Sequence, residues 1–159
     1  MELVTDIPTF RHSNLPSTGR VLAVDWGERR IGLALSDESR TLAQPLTTLT
    51  RRAGKRFPMR ELLVLLEQHD VTGVVVGLPL DQEGREGDAA TAVRILAADI
   101  VRRWGRPVEL WDERLTTSRA LQAVREMGGS TRGRKGDVDA LAAALLLQHY
   151  LDAKRGSAT

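Results

Sequence analysis

Hydrophobic and polar positions along the chain change period several times, and each change marks an element. Residues 21–24, Val-Leu-Ala-Val, form a continuous apolar run, and Ile31 to Leu35 forms a second. Only a short glycine-containing turn separates them, which predicts a β-hairpin of strands 21–26 and 31–36. Residues 37–40 make the next turn, and 41–50 read as a weaker strand whose Pro45 belongs at a sheet edge, since proline cannot donate to a ladder. Met59, Leu62, Leu63 and Leu66 then fall on one helical stripe that ends near His69. Residues 72–77, with three valines at the centre, have the composition of a strand covered on both faces. A helix between two strands makes a parallel crossover, so this strand runs parallel to the first.

Beyond it, Leu78-Pro79-Leu80 leads into a polar glycine loop, DQEGREG. Asp88 is placed to cap a helix whose buried stripe is Ala89, Ala92, Val93, Leu96 and Ile100, stopped by Gly105 and Pro107. Residues 108–111 form a fifth, short strand. Thr116 or Thr117 caps a third helix carrying Ala120, Leu121, Val124 and Met127 in line, and a basic glycine-rich loop spans 128–136. Asp137 caps a last helix that is almost wholly apolar from Ala140 to Leu147, as expected of a helix buried on more than one side. The order βββαβαβαα predicts an α/β fold. Its mixed five-stranded sheet has three antiparallel meander strands and two parallel ones, flanked by about four helices. The expected organisation is one domain over 20–152, with a flexible N-terminal extension at 1–19 and a flexible C-terminal tail at 153–159.

Composition narrows the class. At 159 residues and 42% hydrophobic content, one domain with a full core is expected. There are no cysteines, which excludes disulfides and thiolate metal sites. No apolar run approaches ~18 residues and the N-terminus lacks signal-peptide character, so a cytoplasmic protein away from membranes is expected. The net charge is only +2, but the basic residues are bunched, and local patches decide partners more than the sum does.

The informative chemistry is acidic. Asp25 ends a core strand, where an ionised group is costly unless paired. Glu113 sits just past the end of the fifth strand, and Asp139 lies at the start of the apolar last helix. Taken singly, each has a structural explanation: an arginine partner for Asp25, a charged turn for Glu113, the helix dipole for Asp139. Together they point to a shared site, because ligands in open α/β sheets sit off the carboxyl ends of the parallel strands. Three clustered carboxylates repel, and a hard divalent cation with oxygen ligands removes that penalty. Two such ions about 3.5–4 Å apart activate a water and stabilise the leaving oxygen of an in-line displacement. The histidines, His12, His69 and His149, fit surface or core roles. Arg30, Arg114, Arg132, Arg134 and Lys135 flank the acids in sequence and suit a phosphodiester substrate. Arg51, Arg52, Lys55 and Arg56 make a second basic patch, equally readable as solvated surface. Trp26, Trp104 and Trp111 read as core rather than as stacking platforms.

With these residues laid out, the chain resembles the YqgF family of Holliday junction resolvases and pre-16S ribosomal RNA nucleases over about residues 20–151. The motifs are D-W-G-E-R-R-I-G-L-A-L-S-D (25–37), V-V-V-G-L-P-L (74–80), D-E-R-L-T-T (112–117) and K-G-D-V-D-A-L-A-A (135–143). The resemblance implies a ribonuclease H-like fold and a nuclease dependent on Mg²⁺ or Mn²⁺, with Asp25, Glu113 and Asp139 as catalytic and metal-holding carboxylates. It makes Arg30, Arg114 and Lys135 substrate-positioning groups, with Thr116, Arg132 and Arg134 beside them. RNA or DNA is the implied partner, and the active species is a monomer or a homodimer. Asp81 stands where the family often has asparagine, which makes the 81–88 loop unexpectedly acidic for a phosphate path. Two other classes compete. A non-catalytic binding module gains nothing from clustered acids. A kinase-like phosphotransferase, suggested by D-x-G-x-x-x-x-G at 25–32, needs two lobes, and this chain has length for one.

Overall fold

The computed structural model describes residues 15, 18–51, 56–115 and 135–157. Strands β1 (Arg20–Asp25), β2 (Arg30–Ser36), β3 (Ala43–Thr50), β4 (Val71–Leu78) and β5 (Val108–Asp112) form one sheet in the order β3-β2-β1-β4-β5. β1, β2 and β3 are the antiparallel meander, and β4 and β5 run parallel to β1. Helices α1 (Met59–Gln68), α2 (Asp88–Trp104) and α3 (Lys135–Ser157) are joined by a single 3-10 turn at Glu113–Leu115. The five strands and their polarities match the expectation. The helix expected after Thr116 or Thr117 lies outside the described residues, so three α-helices stand among those described.

Alternation along β1 divides the core in two. Leu22 and Val24 pack on one face with Leu33, Val74 and Val76 against α1 and α2, through Leu62, Leu66, Val93 and Ile100. Val21 and Ala23 face the other way, joining Ala34 and Val75 against Ala143, Leu146, Leu147 and Tyr150 of α3. This period of two explains the unbroken apolar runs of β1 and β4: both faces are covered, so no position is left to solvent. α3 buries Val138, Ala140, Ala142, Ala143, Ala144, Leu146 and Leu147, positions that go around the helix rather than along one stripe. It lies across β1, β2 and β3. No helix among the described residues is long and apolar enough to cross a membrane.

Several boundaries differ from the sequence expectation for local reasons. Asp88 does not cap α2. Gly87 holds the cap position in extended backbone, its carbonyl accepts from the Thr91 N–H (3.1 Å), and Asp88 becomes the first helical residue. Its charge there still favours the helix dipole. Likewise α3 begins at Lys135, which puts Asp137 inside the first turn rather than before it. Residues 153–157, expected in a flexible tail, continue α3 instead. Lys154 Nζ pairs with Glu109 at 3.1 Å, and Arg155 donates to the Arg40 and Thr41 carbonyls, both at 3.1 Å. Pro45 does lie on an edge strand, and the ladder slips there: Leu33 faces Thr47 while Ala34 faces Pro45, a bulge that absorbs the missing donor.

β3 starts at Ala43 rather than at 41 because Asp37 captures the preceding donors. Its Oδ1 accepts from the Thr41 N–H (2.8 Å) and the Leu42 N–H (3.0 Å), and its Oδ2 accepts from Ser39 Oγ (2.6 Å). The Ser39 hydroxyl, then the Leu42 and Thr41 amides, lower the Asp37 pKa to about 2 from 3.8. A depressed carboxyl stabilises the fold fully above its unfolded pKa and loses that contribution as pH falls through the folded value. The turn's contribution is therefore complete above about pH 4 and fades toward about pH 2. In Asp37→Asn that dependence should disappear, so thermal melts of the two chains should converge as pH is lowered across this window.

Candidate active site

Asp25 ends β1 and is only 7% exposed. By the alternation that turns Val21 and Ala23 toward α3, Asp25 also points to the α3 side of the sheet. Its cross-strand partner on β2 is Gly32. On β4, Val76 pairs with Val24, so Gly77 stands one step on, beside Asp25. One buried acid is thus flanked by a glycine on each neighbouring strand.

Each glycine leaves room for another of the predicted acids. A Cβ on Gly32 would run into the main chain of Asp139: inside contact distance of its carbonyl oxygen, 2.5 Å from its carbonyl carbon and 3.1 Å from the Ala140 nitrogen. The second turn of α3 therefore lies directly on β2 beside Asp25, which only a residue without a side chain permits. A Cβ on Gly77 would stand 2.8 Å from Glu113 Oε1, 3.1 Å from its Cγ and 2.5 Å from Leu146 Cδ1. Glu113 opens the 3-10 turn just after β5, and its side chain folds back over β4. On the α3 side of the sheet, Asp25 at the end of β1 thus has the Glu113 side chain over the neighbouring position of β4 and the Asp139 main chain over the neighbouring position of β2.

The side chain of Asp139 is engaged by a base. Its Oδ2 accepts from Arg30 Nε at 2.7 Å, with the carboxylate 26% and the guanidinium 42% exposed. Among the described residues no three His, Cys, Asp or Glu side chains stand close enough together to hold a metal ion. The donors present are all carboxylate oxygens, the set a hard divalent cation takes.

Arg114 is held from beneath. Its Nη2 reaches Asp112 Oδ2 at 2.8 Å, its Nε lies 3.2 Å from both oxygens, and its backbone N–H donates to Oδ1 at 2.9 Å. Burial pushes the Asp112 carboxyl up, but the hydrogen bonds and charge of Arg114 outweigh it and leave the pKa lowered. Arg114 Nη1 also approaches the Gln82 carbonyl (3.5 Å) beneath Gly84, whose φ of +82° favours glycine. The acidic 81–88 loop is largely self-satisfied. Asp81 accepts from the Glu83 and Arg85 amides (3.0 and 2.8 Å) and from Arg85 Nε (3.0 Å), chiefly the Arg85 amide lowering its pKa. Glu86 is paired with Arg94 at 2.7 Å. The aspartate at 81 thus builds the turn, which removes the objection its charge raised.

Thr116, Arg132 and Arg134 lie outside the described residues, and Lys135 is placed only as the first residue of α3. Trp104 packs against the α1/α2 core and Trp111 against the α3 core, edge-on to Tyr150 at 5.2 Å. Trp26 is half-buried, and the Arg51 guanidinium lies 5.4 Å from its ring centroid. Two features carried no usable sequence signal. Glu109, buried on β5, is bonded to the Tyr150 hydroxyl at 2.8 Å and paired with Lys154, partners forty or more residues away. Gly32 and Gly77 were visible as residues, but their role depends on what packs over them.

An antiparallel meander continued by two parallel strands, with helices on both faces, is the ribonuclease H-like fold. A family model described as RuvX, Holliday junction resolvase, matches residues 19–153, and the chain belongs to that family. A relative from Anaeromyxobacter sp. (strain Fw109-5), provisionally named a pre-16S rRNA nuclease, is 42% identical over 135 residues, covering 85% of this chain and 98% of its own. One of the same name from Anaeromyxobacter dehalogenans is 43% identical over 133 residues, covering 84% and 96%. Among solved structures, T. thermophilus RuvC in complex with a Holliday junction substrate is similar at 19% identity and a TM-score of 0.48, covering 87% of this chain and 96% of that one. At that distance the likeness adds nothing about activity.

Proposed function

We propose that this protein is a divalent-metal-dependent nuclease that hydrolyses phosphodiester bonds, acting in the cytoplasm on the 5′ end of pre-16S rRNA. The observation that carries the reading is the pair of glycines flanking Asp25, one under the Asp139 main chain and the other under the Glu113 side chain. The names of the relatives, at about 40% identity over most of the chain, support the substrate. Asp25, Glu113 and Asp139 are the residues that would hold Mg²⁺ or Mn²⁺. Such an ion supplies Lewis-acid polarisation of phosphoryl oxygens and lowers the pKa of water.

The chain's own side chains do the remaining work. Arg30, bonded through Nε to Asp139, orients that carboxylate and would offer its outer edge to a phosphate oxygen. Arg114, fixed in orientation by Asp112, presents its outer edge to the backbone of the bound strand. Thr116, Arg132, Arg134 and Lys135 serve as further phosphate contacts, which position the strand without reading its sequence. A second reading, resolution of four-way DNA junctions, is favoured by the description of the matching family. It requires two active sites and hence a dimer, whereas rRNA processing does not.

The test is a cleavage panel with Mg²⁺ and Mn²⁺ on an rRNA precursor, single-stranded DNA and a four-way junction, with solution mass measured alongside. Cleavage of the precursor that stops on adding a chelator is expected. Symmetrical nicking of the junction by a dimer, with the precursor left intact, would transfer the assignment to the second reading. No cleavage of any substrate with either ion would overturn both.

A further inference from the structure

Trp26 follows Asp25 directly, so by strand alternation it projects toward the opposite side of the sheet, where it packs at the margin of the α1/α2 core. It forms one wall of a groove of ≈ 480 Å³, together with Arg51, Arg56 and Phe57 from the segment after β3 and Ile95 and Arg103 from α2. The wall combines flat surfaces with positive charge. Arg51 lies over the Trp26 ring at 5.4 Å and is anchored by donating from Nε to the Glu28 carbonyl at 2.8 Å. Phe57 is half-buried, Ile95 is 48% exposed, and Arg56 and Arg103 are exposed at the rim. The one acid lining the groove, Asp99, is already paired with Arg102.

Three guanidinium groups around an aromatic wall match the chemistry that holds a single-stranded nucleotide: a base stacked on ring or guanidinium planes, its phosphate met by arginine. The connection to Asp25 sets the choice of partner. The groove opens at the residue after Asp25, at the same end of β1 but on the opposite face of the sheet, so a strand that meets the acids reaches it by crossing that end of the sheet. We propose that this groove takes one unstacked nucleotide of the strand being cut, its base against Trp26, Arg51 and Phe57 and its phosphate against Arg56 or Arg103. The site would favour single-stranded or frayed substrate over intact duplex, because only an unpaired base can enter it. This inference rests on the nuclease reading above.

The test uses the full chain carrying Asp25→Asn, so that substrate is bound and not consumed. Affinity for a fluorescein-labelled single-stranded oligonucleotide, and for a duplex of the same sequence, is read by anisotropy. Trp26→Ala and Arg103→Glu, each added to that chain, should weaken single-strand binding by roughly tenfold, as expected for one stacked base or one phosphate contact. They should also narrow the preference over duplex. Trp26→Phe should keep most of the affinity, and Arg103→Glu, on the exposed face of α2, should leave the melting temperature unchanged while lowering the salt dependence of binding. In the otherwise native chain the same changes should raise KM more than they lower kcat. If both variants bind the oligonucleotide as tightly as the parent, or if an acidic peptide competes where the oligonucleotide does not, the groove is not a nucleotide site. The two readings fail separately: a chain that cuts with an indifferent groove refutes only this inference. One that never cuts, yet loses binding on Trp26→Ala, refutes only the nuclease.

Discussion

Asp25→Asn should abolish cleavage, with kcat falling by about three orders of magnitude or more, while the fold and the affinity for nucleic acid are kept. The substitution is nearly isosteric at a buried strand end, so packing on the α3 side is undisturbed. What it removes is a carboxylate oxygen at the position flanked by Gly32, which lies under the Asp139 main chain, and by Gly77, which lies under the Glu113 side chain. Fewer negative charges at that corner make a phosphate backbone easier to approach, so binding should stay level or tighten slightly. Single-turnover cleavage and anisotropy on the same preparation separate the two effects. Cleavage at the wild-type rate would show that Asp25 is not part of the chemistry.

Gly32→Ala produces the second large effect, on stability and activity together. The added methyl meets main-chain atoms of Asp139 and Ala140, and backbone cannot swing aside as a side-chain end can. α3 must lift from β2, at a cost of about 1–3 kcal/mol or more for forced overpacking. For a chain of this size each kcal/mol lowers the melting temperature by roughly 2–4 °C. If Asp139 acts with Asp25 as proposed, displacing this turn of α3 by an ångström should also slow cleavage, since misplacement on that scale costs about 10²-fold in rate. Gly77→Ala meets side-chain atoms of Leu146 and Glu113 first, and no backbone, so it should cost less stability while still impairing cleavage. Gly87→Ala, with nothing within 4 Å of its Cβ, is the steric control: it should lose only the roughly 0.5–1 kcal/mol of a poorer helix cap and leave cleavage unchanged. Equal melting temperatures for Gly32→Ala and Gly87→Ala would remove the contact on which the site's geometry depends.

The sheet was legible in the sequence because its strands are buried on both faces. The runs at 21–24 and 72–77 have no polar interruptions to obscure them, and the helix between them forces the parallel pairing. Boundaries were less legible where a side chain competes for backbone donors. Asp37 takes the amides of Thr41 and Leu42 and delays β3, and an extended Gly87 displaces Asp88 from the cap. The C-terminal helix was read as ending too early because the partners of Lys154 and Arg155 lie on β5 and in the β2–β3 turn. For the proposed site, sequence singled out Asp25, Glu113 and Asp139 by the cost of leaving carboxylates at strand and helix ends. It could not show that the glycines beside Asp25 make room for the Asp139 main chain and the Glu113 side chain. Nor could it show that Arg30, read as a phosphate contact, is bonded to Asp139. Trp26 was assigned to the core from its place after an apolar strand; half of it packs there, and the other half borders a groove completed only by α2 and the segment after β3.

Direct titration of Mn²⁺ into the chain, followed by calorimetry in parallel for wild type, Asp25→Asn, Glu113→Gln and Asp139→Asn, tests the shared-cation claim without reference to any substrate. Saturable binding in the wild type, weakened at least tenfold by each of the three substitutions, is the predicted result. Binding that is unaltered in all three variants, or lost in one and untouched in the others, would mean that these carboxylates do not serve one ion.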